Sequence, residues 1–134
     1  MSLQWSAALA VGIDEIDDQH RELFDRINKM LEIIARSAGP QEMGDVMSFL
    51  EDYVVSHFAM EEGWMIRFNY PDFQKHKERH EGFNRELALF KERLAREGPS
   101  AFLAIQIENM LVEWWTNHIR TIDTALGKFL ADKV

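Results

Sequence analysis

Residues 57–80 read His-Phe-Ala-Met-Glu-Glu-Gly-Trp-Met-Ile-Arg-Phe-Asn-Tyr-Pro-Asp-Phe-Gln-Lys-His-Lys-Glu-Arg-His. Two pairs of residues with metal-ligand chemistry, His57/Glu61 and His76/His80, stand four apart on either side of the Asn69-Tyr70-Pro71 break. Four residues of α-helix advance about 400°, so the members of each pair point nearly the same way, one turn apart. A turn between the pairs folds the second helix back on the first, and both pairs then face one point. Neutral imidazole and carboxylate are the donors that iron, zinc and manganese take. The stretch therefore reads as half of a metal site carried on a helical hairpin.

Working outward, the apolar residues recur at three- and four-residue steps on both sides of this hairpin. Asp17 and Asp18 are good N-caps, and a first helix is predicted over 17–37 through Leu23, Phe24, Ile27, Met30, Leu31 and Ile34, with His20 on its inner side. Ser37-Ala38-Gly39-Pro40 stops it. The second helix, over 41–67, carries Met43, Val46, Met47, Leu50, Tyr53, Val54, His57, Met60, Glu61 and Trp64. It ends before Pro71, because the residue preceding a proline disfavours helical backbone. The third, over 72–96, holds Phe73, His76, His80, Phe83, Leu87, Phe90 and Leu94, and Glu97-Gly98-Pro99-Ser100 ends it. A fourth, over 100–130, shows Phe102, Leu103, Ile107, Met110, Leu111, Trp114, His118, Ile122 and Leu126. Residues 1–16 lack helical spacing and are predicted as an irregular arm whose Trp5, Val11, Ile13 and Ile16 pack on the body. No strand-type alternation occurs. The prediction is an all-α, up-down-up-down four-helix bundle with an irregular N-terminal arm, forming one domain over 1–134.

Composition bounds the function. Apolar residues make up 46% of the 134, which suits a packed core, and no apolar run approaches the about 20 residues of a membrane span. A net charge of −8 argues against nucleic acid or anionic lipid as a partner. With no cysteine, disulfides, iron–sulfur clusters and thiolate zinc sites are excluded. A cytoplasmic protein is the expectation, since no basic residue precedes the fairly apolar start as a signal peptide would require. No protein partner is legible.

All five histidines, His20, His57, His76, His80 and His118, fall on the apolar stripes, and together they span all four helices. One such histidine is ordinarily a core residue with satisfied ring nitrogens. Burying five imidazoles without a shared partner is costly, which favours a metal. The pairs carry unequal weight. Chance supplies about one His-then-acid pair at a spacing of four, but only about 0.2 His–His pairs, so His76/His80 is the more informative. Glu62 points about 100° from Glu61 and is expected to be a solvated acid. His118 and Asp123 are five apart, about 140° around an α-helix, an awkward spacing for ligands of one small ion unless Asp123 reaches between two ions.

Taken in order, these motifs resemble the hemerythrin family, in its single-domain bacterial branch. The matching elements are Trp5 and Val11-Gly12-Ile13 in the arm, Asp17-Asp18-Gln19-His20, His57-Phe58-x-x-Glu61-Glu62-x-x-Met65, His76-x-x-x-His80, and Trp114-x-x-x-His118-Ile119-x-x-x-Asp123. The resemblance implies a metal site of two iron ions, a non-haem di-iron centre with an oxo or hydroxo bridge. His76, His80 and His118 would bind one iron, His20 and His57 the other, and Glu61 and Asp123 would bridge them. It further implies O2 as the ligand, bound reversibly for carriage, storage or sensing, in a pocket formed by Leu23, Phe58, Trp114, Trp115 and Ile119. No catalytic residue is implied. The family usually carries Leu where this chain has Trp115. A di-iron redox enzyme acting on peroxide or nitric oxide is the alternative reading, and a metal-free helical interaction module is a more distant one.

Overall fold

The computed structural model describes residues 3–36 and 40–134. The long helices are α1 (Asp14–Ala35), α2 (Pro40–Arg67), α3 (Phe73–Glu97) and α4 (Ala101–Asn117), followed by a π-helical turn, His118–Asp123, and α5 (Thr124–Leu130). Backbone angles at Asn117, His118, Asp123 and Thr124 stay right-handed helical, so α4, the π-turn and α5 form one continuous run. α1 packs on α2 and α4, and α3 on α2 and α4, closing an up-down-up-down bundle. Among the described residues there is no strand, and no helix is long and apolar enough to cross a membrane.

The arm is better ordered than its sequence suggests. It contains a short 3-10 turn at Ala7–Leu9, and Leu3, Leu9, Val11 and Ile13 are buried. Gly12 takes a φ of 90°, open to glycine at little cost, and turns the chain into α1. That helix starts three residues earlier than predicted, with Ile13 at the cap position and no side-chain cap. Asp14 and Glu15 already supply the negative charge a helix N-terminus favours. Asp17 instead ties down the arm, for it is buried and its Oδ1 accepts the Val11 N–H at 2.9 Å. Asp18 is exposed and pairs with Arg21. Behind the arm, a Cβ at Gly127 would lie 3.0 Å from the Val11 carbonyl carbon and collide with its oxygen, so α5 passes the arm where only glycine fits.

The Ser37-Ala38-Gly39 stop lies outside the described residues. At the other end of α2 the chain turns through Asn69, with a φ of 55°, while the Tyr70 N–H donates to the Met65 carbonyl at 2.9 Å. This closes an orphan carbonyl of the last turn through a left-handed residue, which asparagine tolerates. Gly98, with a φ of 81°, ends α3 in a related way, its N–H donating to Leu94 at 2.9 Å. Ser100 Oγ then caps α4 by accepting the Leu103 N–H at 3.0 Å.

The predicted stripes largely form the core, including Leu23, Phe24, Ile27, Leu50, Val54, Phe83, Leu87, Ile107 and Leu111. Phe102 departs from it and is 67% exposed, because Leu103, Ala104 and Ile107 take the inward side of the first α4 turns. Trp115 follows Ile107 and Leu111 at four-residue steps and is wholly buried, whereas Trp114 is half-buried.

Candidate metal centre

Seven side chains from all four walls of the bundle meet in its interior. His20 comes from α1, His57 and Glu61 from α2, His76 and His80 from α3, and His118 and Asp123 from the π-turn. All seven are buried, Glu61 and Asp123 completely. Their donor atoms form two overlapping groups: Glu61, His76, His80, His118 and Asp123 in one, and His20, His57, Glu61 and Asp123 in the other.

Both carboxylates divide their oxygens between these groups. Glu61 Oε1 lies 3.2 Å from His80 Nε2 and 3.5 Å from His76 Nε2, while its Oε2 lies 3.5 Å from His57 Nε2. Asp123 Oδ1 lies 3.1 Å from both His76 Nε2 and His118 Nε2, while its Oδ2 lies 3.2 Å from His20 Nε2. The remaining pair, His20 and His57, bring their Nε2 atoms within 3.1 Å of each other. Every histidine thus presents Nε2 to the centre.

What aims two of these rings is not legible in the sequence. His80 Nδ1–H donates to Glu62 Oε2 at 2.8 Å, and His57 Nδ1–H donates to Gln19 Oε1 at 2.7 Å. Such bonds hold the tautomer that leaves Nε2 free, as outer partners of metal-bound histidines do. Glu62 is therefore not the solvated acid expected from its direction on α2. The 100° that turns it from the centre turns it toward the back of His80 on α3, a neighbour visible only once the helices are packed. The spacing of His118 and Asp123 is likewise corrected: the π-turn inserts one extra residue per turn and brings both to the same side.

Burial and mutual proximity set the electrostatics. Burial pushes His57 down to about 4, although Glu61 opposes the shift. Burial also works against charge on His76, but the Asp123 and Glu61 carboxylates, 3.1 and 3.5 Å from its Nε2, outweigh it and raise the ring to about 9. Glu61 is disfavoured as an anion by burial and by Asp123, yet His57, His76 and His80 hold it at about 2. Asp123, facing His118, His20 and His76, is also held well below the usual carboxylate range.

The predicted pocket residues adjoin this cluster. Phe58 stacks on His80 with centroids 3.7 Å apart, and Trp114 on His118 at 4.3 Å. The Trp115 ring centroid is 6.1 Å from that of His57 and 6.2 Å from those of His20 and His118. Leu23 and Ile119 are wholly buried.

Residues 11–130 match the family model of the hemerythrin HHE cation binding domain. The chain belongs to the hemerythrin family. It is 36% identical over 123 residues to a bacteriohemerythrin of Stenotrophomonas maltophilia, covering 92% of this chain and 78% of that protein. Bacteriohemerythrin of Methylococcus capsulatus is 30% identical over 130 residues, covering 96% and 97%. A hemerythrin chain of Sipunculus nudus is 31% identical over 121 residues, covering 89% and 86%. A wild-type hemerythrin crystal structure superposes with a TM-score of 0.83 at 29% identity, covering 96% of this chain and 98% of that one. Hemerythrin membership accounts for the four-helix bundle and the buried His/Glu/Asp cluster together.

Proposed function

We propose that this hemerythrin-family chain is a single-domain, non-haem di-iron protein of the cytoplasm that binds O2 reversibly and does not turn it over. The observation that carries the reading is the division of Glu61 and Asp123, each with one oxygen toward His76, His80 or His118 and the other toward His20 or His57. The donor set fits a pair of cations. Both oxygens of Glu61 and of Asp123, and Nε2 of His76, His80 and His118, are buried without an aligned hydrogen-bond partner. Leaving so many inward polar atoms unsatisfied is costly unless positive charge meets them.

In this reading His76, His80 and His118 would hold one iron, His20 and His57 the other, and Glu61 and Asp123 would serve both. Bound there, the iron pair would supply the reducing electrons that reversible O2 binding needs. The histidines provide neutral donors, and the two carboxylates balance the cations in a dry interior. Leu23, Phe58, Trp114, Trp115 and Ile119 form the wall that admits a small apolar gas and excludes bulk water.

Metal analysis with visible spectroscopy tests this. Two irons per chain are expected, with a spectrum that changes when the reduced protein meets O2 and reverts when O2 is removed. One metal per chain, zinc after iron-replete expression, or an irreversible spectral change overturns the proposal.

A further inference from the structure

We infer that the two metal positions hold their ions unequally, the one faced by His76, His80 and His118 filling first and emptying last, and that Glu62 is a positioning residue that widens this difference. The inference rests on the two-iron reading and adds an order to it. Glu61 and Asp123 face both positions, so they do not distinguish them. The histidines do. Three imidazoles face one position and two face the other.

The outer partners widen the gap. His80 Nδ1–H donates to a carboxylate oxygen of Glu62 at 2.8 Å, whereas His57 Nδ1–H donates to the neutral amide oxygen of Gln19 at 2.7 Å. Both bonds fix ring orientation and tautomer. Only the carboxylate also places negative charge behind the ring, which strengthens the hydrogen bond and makes Nε2 a better donor. His20 Nδ1 on one side and His76 Nδ1 on the other are both buried with no partner, so the outer contrast rests on Glu62 behind His80 against Gln19 behind His57. The chain thus presents a three-histidine position with carboxylate support and a two-histidine position with amide support. Glu62 itself is a quarter exposed, so its substitution does not open the core.

Ferrous protein mixed with excess bipyridine under nitrogen tests the order, since the chelate colour counts ions as they leave. The parent should release two irons in two phases of equal amplitude. Crystals stripped through the fast phase should show the remaining iron, by anomalous scattering, between His76, His80 and His118. Glu62→Gln should speed the slow phase about 10- to 100-fold and leave the fast phase in place. Gln19→Glu places a carboxylate behind His57 and should slow the fast phase about tenfold, a gain that structural damage does not produce. The melting curves of the metal-free variants check that both fold, and if Glu62→Gln does not, the parent phases and Gln19→Glu still decide. Two irons leaving the parent in a single phase overturn the inference alone, as does a Gln19→Glu protein with an unslowed fast phase. One iron per chain overturns the two-iron reading and this inference with it.

Discussion

His118 and Asp123 stand five residues apart in the chain, and Nε2 of the first lies 3.1 Å from Oδ1 of the second. An α-helix would separate them by about 140°. Here the backbone closes an i→i+5 bond instead, with the Thr124 N–H reaching the Ile119 carbonyl. The Thr124 hydroxyl donates to that same carbonyl at 2.8 Å, giving the wider turn a second tie. π-turns are frequent at functional sites, and this one converts a spacing unfavourable for co-ligation into a shared direction.

Asp123→Ala should therefore reduce bound iron from two per chain to one or fewer, because both positions lose a donor. Metal analysis reads this directly, before any O2 is supplied. A variant that retains two irons removes Asp123 from the bridging role.

Trp115→Leu removes no ligand, and iron loading should stay at two per chain. The indole is wholly buried, so its replacement leaves a cavity and lowers stability, by less than the about 3–5 kcal/mol of truncation to alanine. With the ring gone from beside His20 and His57, azide and O2 uptake should quicken if the indole obstructs access. Autoxidation should quicken if it shields the site from water. Stopped-flow oxygenation followed by an autoxidation trace separates the two, and a variant equal to the parent in both makes Trp115 a packing residue only.

Gly127→Ala forces a methyl group onto the Val11 carbonyl. Overpacking against backbone costs about 1–3 kcal/mol, and the arm should lift from α5. The sensitive probe is hydrogen exchange at the Val11 amide, which donates to the buried Asp17 carboxylate. Unchanged protection there, with an unchanged melting midpoint, would show that the arm yields freely.

Metal-free protein should be most stable near pH 6.5, for reasons of sign. His76, raised from 6.5 to about 9, contributes fully below 6.5 and loses that contribution as pH rises through 9. His57, lowered from 6.5 to about 4, contributes above 6.5 and loses it as pH falls through 4. Glu61, lowered from 4.5 to about 2, adds a further loss as pH falls from 4.5 toward 2. Melting scans of chelator-treated protein between about pH 3 and 10 should trace this peak. Iron should raise the midpoint and flatten the alkaline arm, because the ligand lone pairs then face a cation. A metal-free protein with a level curve across that range contradicts the buried ion network.

Helix number, the apolar stripes and the inward faces of His20, His57, Glu61, His76, His80 and His118 were legible along the chain, whereas Asp123 entered the ligand set only through the family resemblance. The legible features depend on local periodicity, and a residue's side of its own helix follows from spacing alone. The family signature was legible for the same reason, since His57/Glu61 and His76/His80 are four-residue spacings that survive in any α-helix. What the sequence did not contain was the relation between helices. The back of His80 meets Glu62 only because α3 packs on α2, and His57 meets Gln19 only because α1 does. The helix start at Asp14 and the use of Asp17 by Val11 depend on an arm that crosses α5 at Gly127. The π-turn departs from the 3.6-residue period on which the reading rests, and no local propensity announces it. Helix packing decided the partners of His80 and His57, because a buried imidazole takes whichever acceptor the packed neighbour supplies.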